Sequence, residues 1–228
     1  MNSTSFRAPK GWWLVMTAER MADGTYRGIL YTTRGPPFFA MPFDPGAVVA
    51  TPVGTGTLSF VDGTVGTFDY SVNGISQKKT ITREIFGPLP TCTFASPVDP
   101  ALASNYQDLW WAQPPGAESG WGVNLTQEGS VIFVTWFTYD DTGAPMWLVA
   151  TTTPASATQF SGTLYRTSGP PFYAVPFNPS SVVPTPVGNV TLTFQTGNSA
   201  TFAYTVNGIT QSKPITREIL RSPGTLCQ

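Results

Sequence analysis

Thr201-Phe202-Ala203-Tyr204-Thr205-Val206-Asn207-Gly208-Ile209 is the stretch that decides the fold. Successive side chains of an extended strand point to opposite faces, so Phe202, Tyr204 and Val206 share one face. Thr201, Ala203 and Thr205 share the other. Asn207-Gly208 tolerates the two positive φ angles of a tight hairpin turn, so the strand reverses at once. Phe68, Tyr70, Val72 and Asn73-Gly74 repeat this pattern, and Val190, Leu192 and Phe194 form another stripe. Apolar residues at i, i+3, i+4, i+7 are found in no window. β-branched and aromatic residues fill the alternating runs, as a pleated, half-buried surface requires.

Turn residues at Asp140-Asp141-Thr142-Gly143 and Gln195-Thr196-Gly197-Asn198 supply further reversals. Residues 105–228 then parse into eight strands. They lie near residues 109–112, 122–127, 131–139, 146–152, 159–167, 189–195, 200–206 and 209–219. Tight hairpins make an antiparallel meander. The expected class is all-β, with an up-and-down β-barrel whose closure removes the sheet edges. A two-sheet β-sandwich is the rival. A barrel of this size either holds one small ligand or fills with side chains.

The chain also repeats itself. A shift of 134 residues lays Tyr31–Phe86 over Tyr165–Leu220 without a gap, with 34 identities in 56 positions. Gly35-Pro36-Pro37-Phe38 returns as Gly169-Pro170-Pro171-Phe172, and Ile81-Thr82-Arg83-Glu84-Ile85 as Ile215-Thr216-Arg217-Glu218-Ile219. The register reaches back to Trp13-Leu14-Val15 over Trp147-Leu148-Val149. The expected organisation is a truncated first copy at 1–86, a proline-rich linker at 87–104, and a full second copy at 105–228. The first copy keeps five strands of the eight. Five open strands leave two edges and an uncovered apolar face, so strands of the second copy, residues 1–10 or a second chain must complete it. A homodimer is one such solution.

One connection in each copy is long: about twenty residues at 168–187 and its twin at 34–53. The aromatic content of the former (Phe172, Tyr173, Phe177) reads as a lid across one end of the barrel, with or without a ligand beneath.

Composition removes several functions. There is no histidine, so Ser-His, Cys-His and His-metal chemistry are absent. Charged residues make up 11% and the net charge is −1, with no block of one sign. Electrostatic capture of nucleic acid or of an anionic membrane is therefore not expected. The run from Trp12 to Met16 is too short for a signal-peptide core or a transmembrane segment. Abundant Thr, Ser, Gly and Asn with scarce Lys lean toward an extracellular or periplasmic location. Cys92 and Cys227 are compatible with a disulfide.

Glu118-Ser119-Gly120-Trp121-Gly122-Val123-Asn124-Leu125, Thr135-Trp136-Phe137-Thr138-Tyr139-Asp140 and Trp147-Leu148-Val149 carry a family likeness. So does Phe202 to Gly208 followed by Ile215-Thr216-Arg217. Together they resemble an uncharacterised repeat of exported or surface-associated proteobacterial proteins. The likeness covers nearly all of the second copy and most of the first. It implies a bacterial origin and an exported location, and brings no activity with it. The absent front of the first copy departs from the pattern and leaves open whether the chain is a fragment of a longer product.

Acid–base chemistry without histidine falls to carboxylates, and the candidates are Glu84, Glu118 and Glu218. Glu84 and Glu218 each follow an arginine on the last strand, where Arg and Glu face opposite ways. A structural ion pair there competes with a lumenal site. Ser119 reads as a turn residue. Asp140 and Asp141 offer two carboxylates for Ca²⁺, without the alternating acidic spacing of a calcium loop. No cofactor is otherwise expected. The candidate binding residues are Trp13, Trp121, Trp147, Tyr31, Tyr165, Phe38, Phe172, Arg83 and Arg217, since such side chains stack on sugar rings, enclose apolar ligands or grip polar groups. Core packing competes for Trp136 and Trp147. The expected function is an exported module that binds a small apolar molecule, a glycan or a surface partner. The alternative is a hydrolase of an ester, lactone or glycoside.

Overall fold

A computed structural model describes residues 11–228. Strands β1 (Glu19–Arg20), β2 (Tyr26–Arg34), β3 (Val49–Phe60), β4 (Val65–Val72) and β5 (Ile75–Thr82) form an antiparallel sheet in chain order. A short strand β6 (Cys92–Thr93) follows. Strands β7 (Asp108–Ala112), β8 (Gly122–Glu128), β9 (Val131–Tyr139), β10 (Pro145–Pro154), β11 (Gln159–Ser168), β12 (Val183–Thr196), β13 (Ser199–Val206) and β14 (Ile209–Arg217) make a closed barrel. The final strand, β15 (Leu226–Cys227), pairs with β6.

The barrel is the expected meander. It closes where β14 meets β7, with Ile215 opposite Ala112, Thr216 opposite Trp111 and Arg217 opposite Trp110. Closure excludes the sandwich. Asn73 and Asn207 both adopt φ of 49°, and each is followed by a positive-φ glycine, as their hairpins demand. β12 starts at Val183, so the long connection is shorter than its sequence suggested.

Side chains fill the lumen. Trp110, Ile132, Trp136, Leu164, Leu192 and Phe202 each expose 1% or less. Trp136 meets Phe202 edge-on at 5.1 Å and Tyr204 at 4.4 Å. The interior is a packed core.

The lids are exchanged. The 34–48 connection, from the five-stranded sheet, closes the barrel. Phe38 N–H donates to Tyr139 O at 2.9 Å, and the Phe38 ring joins the barrel core beside Trp136 and Tyr204. The Tyr204 hydroxyl lies 2.9 Å from Phe38 O, and Gln211 Nε2 donates to Phe39 O at 2.9 Å. The barrel's own 169–182 connection covers the five-stranded sheet instead. Gln77 Nε2 donates to Tyr173 O at 2.8 Å, and Tyr70 packs on Phe172 at 6.1 Å. The expected lid thus covers the neighbouring unit, not its own strands.

Trp12, Leu14, Met16 and Phe172 pack on the core of the five-stranded sheet, around Leu30, Tyr70 and Val72. Val15 pairs with Tyr31. Residues 1–10, one candidate for completing this sheet, lie outside the described residues. Residues 87–104 are more than a tether. Glu128 Oε2 accepts from the backbone of Phe86 at 2.6 Å and Gly87 at 2.8 Å, and a disulfide joins Cys92 to Cys227. No helix among the described residues is long and apolar enough to cross a membrane.

Candidate functional site

Three places gather the chemistry: the lid end of the barrel, its opposite rim and its outer wall.

At the lid end, β14 points Lys213 inward and the turn before β8 brings Glu118 over it. Lys213 Nζ donates to Glu118 Oε2 at 2.6 Å, and Trp121 Nε1 donates to the same oxygen at 2.8 Å. The Lys213 ammonium also sits 5.4 Å from the centre of the Trp121 ring. Lys213 and Trp121 are buried beneath the 34–48 lid. Burial, and then the Glu118 charge, push the Tyr204 hydroxyl above its ordinary range. Glu118 is therefore ion-paired to Lys213, and Trp121 belongs to the barrel core. Ser119 is exposed and donates to Gly116 O at 3.3 Å.

At the opposite rim, Arg217 is 5% exposed. Its guanidinium donates to Asp108 Oδ2 at 3.0 Å, Gln107 O at 2.9 Å, Asn105 O at 2.7 Å and Gly197 O. It lies 5.2 Å from the Trp110 ring. Next to it, Glu218 lines a pocket of about 520 Å³ with Asp108, Leu109, Phe94, Ile219 and Arg221. Burial, and then the Asp108 charge, raise the Glu218 carboxyl above its ordinary range. A raised folded-state pKa means that the folded protein holds this proton more tightly than the unfolded chain does. The stability it confers is complete below the unfolded value and is lost as pH climbs through the folded one. Glu218→Gln should therefore match the parent in stability near pH 4. It should exceed the parent near pH 7 by a fraction of a kcal/mol, since solvent screens a half-buried group. Urea unfolding at the two pH values measures this; an equal difference at both would contradict it.

On the outer wall, the residues alternating with the core of β9, β10 and β11 face outward. Phe133, Val149, Thr151, Thr163, Tyr165 and Pro184 line an open cleft of about 460 Å³. Register sets it: Val149 stands opposite both Thr135 and Tyr165, and Thr151 opposite Phe133. An apolar floor with an aromatic phenol and hydroxyls at its margins suits a sugar face or a flat apolar molecule.

The other sequence candidates scatter. Glu84 and Arg83 are exposed, so the repeated Arg-Glu pair is a buried rim in the barrel and plain surface in the sheet. Trp13 lies between the two units, 5.3 Å from Phe137, and its Nε1 donates to Thr138 O at 3.2 Å. Trp147 is half-buried on the outer wall rather than in the core, and Tyr31 is half-buried on β2. Phe38 and Phe172 serve the exchanged lids. Asp140 Oδ1 accepts from Thr142 N, Thr142 Oγ1 and Ala144 N, which staples a turn, while Asp141 is exposed. Among the described residues no three His, Cys, Asp or Glu side chains gather as a metal site. The sequence reading missed Lys213, Asp108 and Phe133. The return of Lys79 as Lys213 in the repeat was the available signal for the first.

No protein-family model, no curated protein and no solved structure matches this chain.

Proposed function

We propose that the protein is an exported binding module, built from two copies of one β-unit, that takes a glycan or small apolar ligand on the outer wall of its barrel. The open aromatic cleft around Tyr165 and Phe133 carries this reading, because the lumen is packed and the lid-end carboxylate is ion-paired. The disulfide and the Thr/Ser-rich, Lys-poor composition support an oxidising, extracytoplasmic setting. Tyr165→Ala should weaken the binding of glycans selected on an array by about tenfold, the loss of one stacking partner. Calorimetry on the purified variant measures this, and undiminished affinity would remove the cleft from consideration.

A second reading is a hydrolase, and the Glu218 pocket favours it: a carboxyl held above its usual pKa is a natural general acid. A panel of esters, lactones and glycosides, with and without Ca²⁺ or chelator, tests it. Turnover abolished by Glu218→Gln supports this reading; turnover absent throughout, or unchanged by the substitution, removes it.

A further inference from the structure

The five-stranded sheet has the inward face of the barrel without the strands that would cover it. Tyr26, Leu58, Phe60, Phe68 and Ile81 stand 134 residues before Phe160, Leu192, Phe194, Phe202 and Ile215. The barrel residues expose 5% or less, whereas Phe60 exposes 54% and the other four are half-buried. The edge differs in the same way. β14 is paired on both sides, to β13 and to β7, whereas β5 is paired only to β4 among the described residues.

The charges on this edge name the missing element. In the barrel, Lys213 is paired by Glu118, and Arg217 by Asp108 and the carbonyls of Asn105 and Gln107. These four partners lie in the β7–β9 segment or immediately before it; the fifth, Gly197 O, belongs to the turn between β12 and β13. Lys79 on β5 and Arg83 just past its end stand 134 residues before Lys213 and Arg217. Lys79 Nζ donates to Phe172 O at 3.0 Å, and neither cation has a carboxylate within ion-pair distance among the described residues. An apolar trough, an open hydrogen-bonding edge and two cations with no carboxylate partner among the described residues therefore coincide at β5 and its C-terminal end.

We propose that this sheet is a receptor for a three-stranded β-segment of the β7–β9 kind. Such a segment adds its first strand to the free edge of β5, lays aromatic side chains over Phe60 and Phe68, and pairs two carboxylates with Lys79 and Arg83. A second copy of this chain is a poor donor. Its β7–β9 segment already closes its own barrel, and exchange between two copies opens as many sheets as it closes. The proposal uses the register between the two units and is independent of the outer-wall ligand.

The test titrates a peptide of residues 105–144, attached through a flexible linker to a soluble carrier, into the intact protein. The expected result is a one-to-one complex in which the amides of Thr82 and Glu84, the equivalents of the β14 residues that face β7, become slow to exchange. A peptide carrying Glu118→Lys should bind roughly thirtyfold more weakly or worse, the size of effect expected for a buried, hydrogen-bonded charge pair. The protein variant Lys79→Glu should restore it. Three outcomes overturn the proposal: no binding by the carrier-linked peptide, binding indifferent to the charge reversals, or protection of β5 in a self-associated protein without peptide. In a second arm, residues 105–145 are duplicated ahead of Trp12 in the same chain, which keeps the 134-residue register. Slowed β5 exchange supports the proposal there, and a folded fusion with unchanged exchange overturns it.

Discussion

Arg217→Ala should cost about 3–5 kcal/mol of stability, whereas Arg83→Ala, at the equivalent position of the repeat, should cost less than about 0.5 kcal/mol. The chemistry of the two deletions is identical; the surroundings are not. Removing the Arg217 guanidinium strands the carbonyls of Asn105, Gln107 and Gly197 and the carboxylate of Asp108 at a buried rim. The buried carbonyls of Asn105 and Gly197 lose their partner without regaining water, whereas the Asp108 carboxylate is 32% exposed and is left as an unpaired charge at the pocket. It also removes the cation from the Trp110 ring. Arg83 is exposed and leaves nothing behind it unsatisfied. Urea unfolding followed by tryptophan fluorescence measures both. Similar losses for the two variants would show that burial is not what separates them.

Loss of the disulfide ranks beside it. Cys92 and Cys227 are 135 residues apart and enclose the entire barrel. Releasing a loop of that size gives the unfolded chain an entropy equivalent to about 5 kcal/mol in the chain-entropy account. The double variant Cys92→Ser, Cys227→Ser should lose up to that amount. Folded-state consequences should stay local, because β14 closes on β7 through its own hydrogen bonds. The 87–104 segment and the 218–228 tail should exchange faster, since β6 and β15 pair over only two residues each. An unmoved denaturation midpoint after the substitution would contradict the entropic argument.

Strand identity was legible because it is local. Phe202, Tyr204 and Val206 announce an inward face wherever they are placed, and Asn207-Gly208 dictates the turn at their end. Val131–Tyr139 could be delimited from sequence for the same reason. The eight-strand barrel followed from counting such runs. The candidate site was far less legible. Trp121 and Glu118 looked like binding and catalytic residues, yet Lys213 neutralises one and packs on the other. Lys213 itself sits in Gln211-Ser212-Lys213-Pro214, where nothing local marks a buried cation. Phe133 and Tyr165 form one cleft across three strands, and only their register brings them together.

Alternation of apolar and polar side chains, and the asparagine–glycine reversals, were enough to determine an all-β chain with eight strands able to close. Tertiary structure alone decided which lid covers which unit. The two lids share Gly-Pro-Pro-Phe, and the tyrosine–glutamine pairs that receive them, Tyr70 with Gln77 and Tyr204 with Gln211, are the same in both units. Neighbours along the chain therefore carry no information on the choice between a lid closing its own unit and closing the other. It rests on contacts between residues more than ninety positions apart, such as Gln77 with Tyr173 and Gln211 with Phe39. The same long-range packing buries Arg217 and leaves Arg83 in water, although both sit in Ile-Thr-Arg-Glu-Ile.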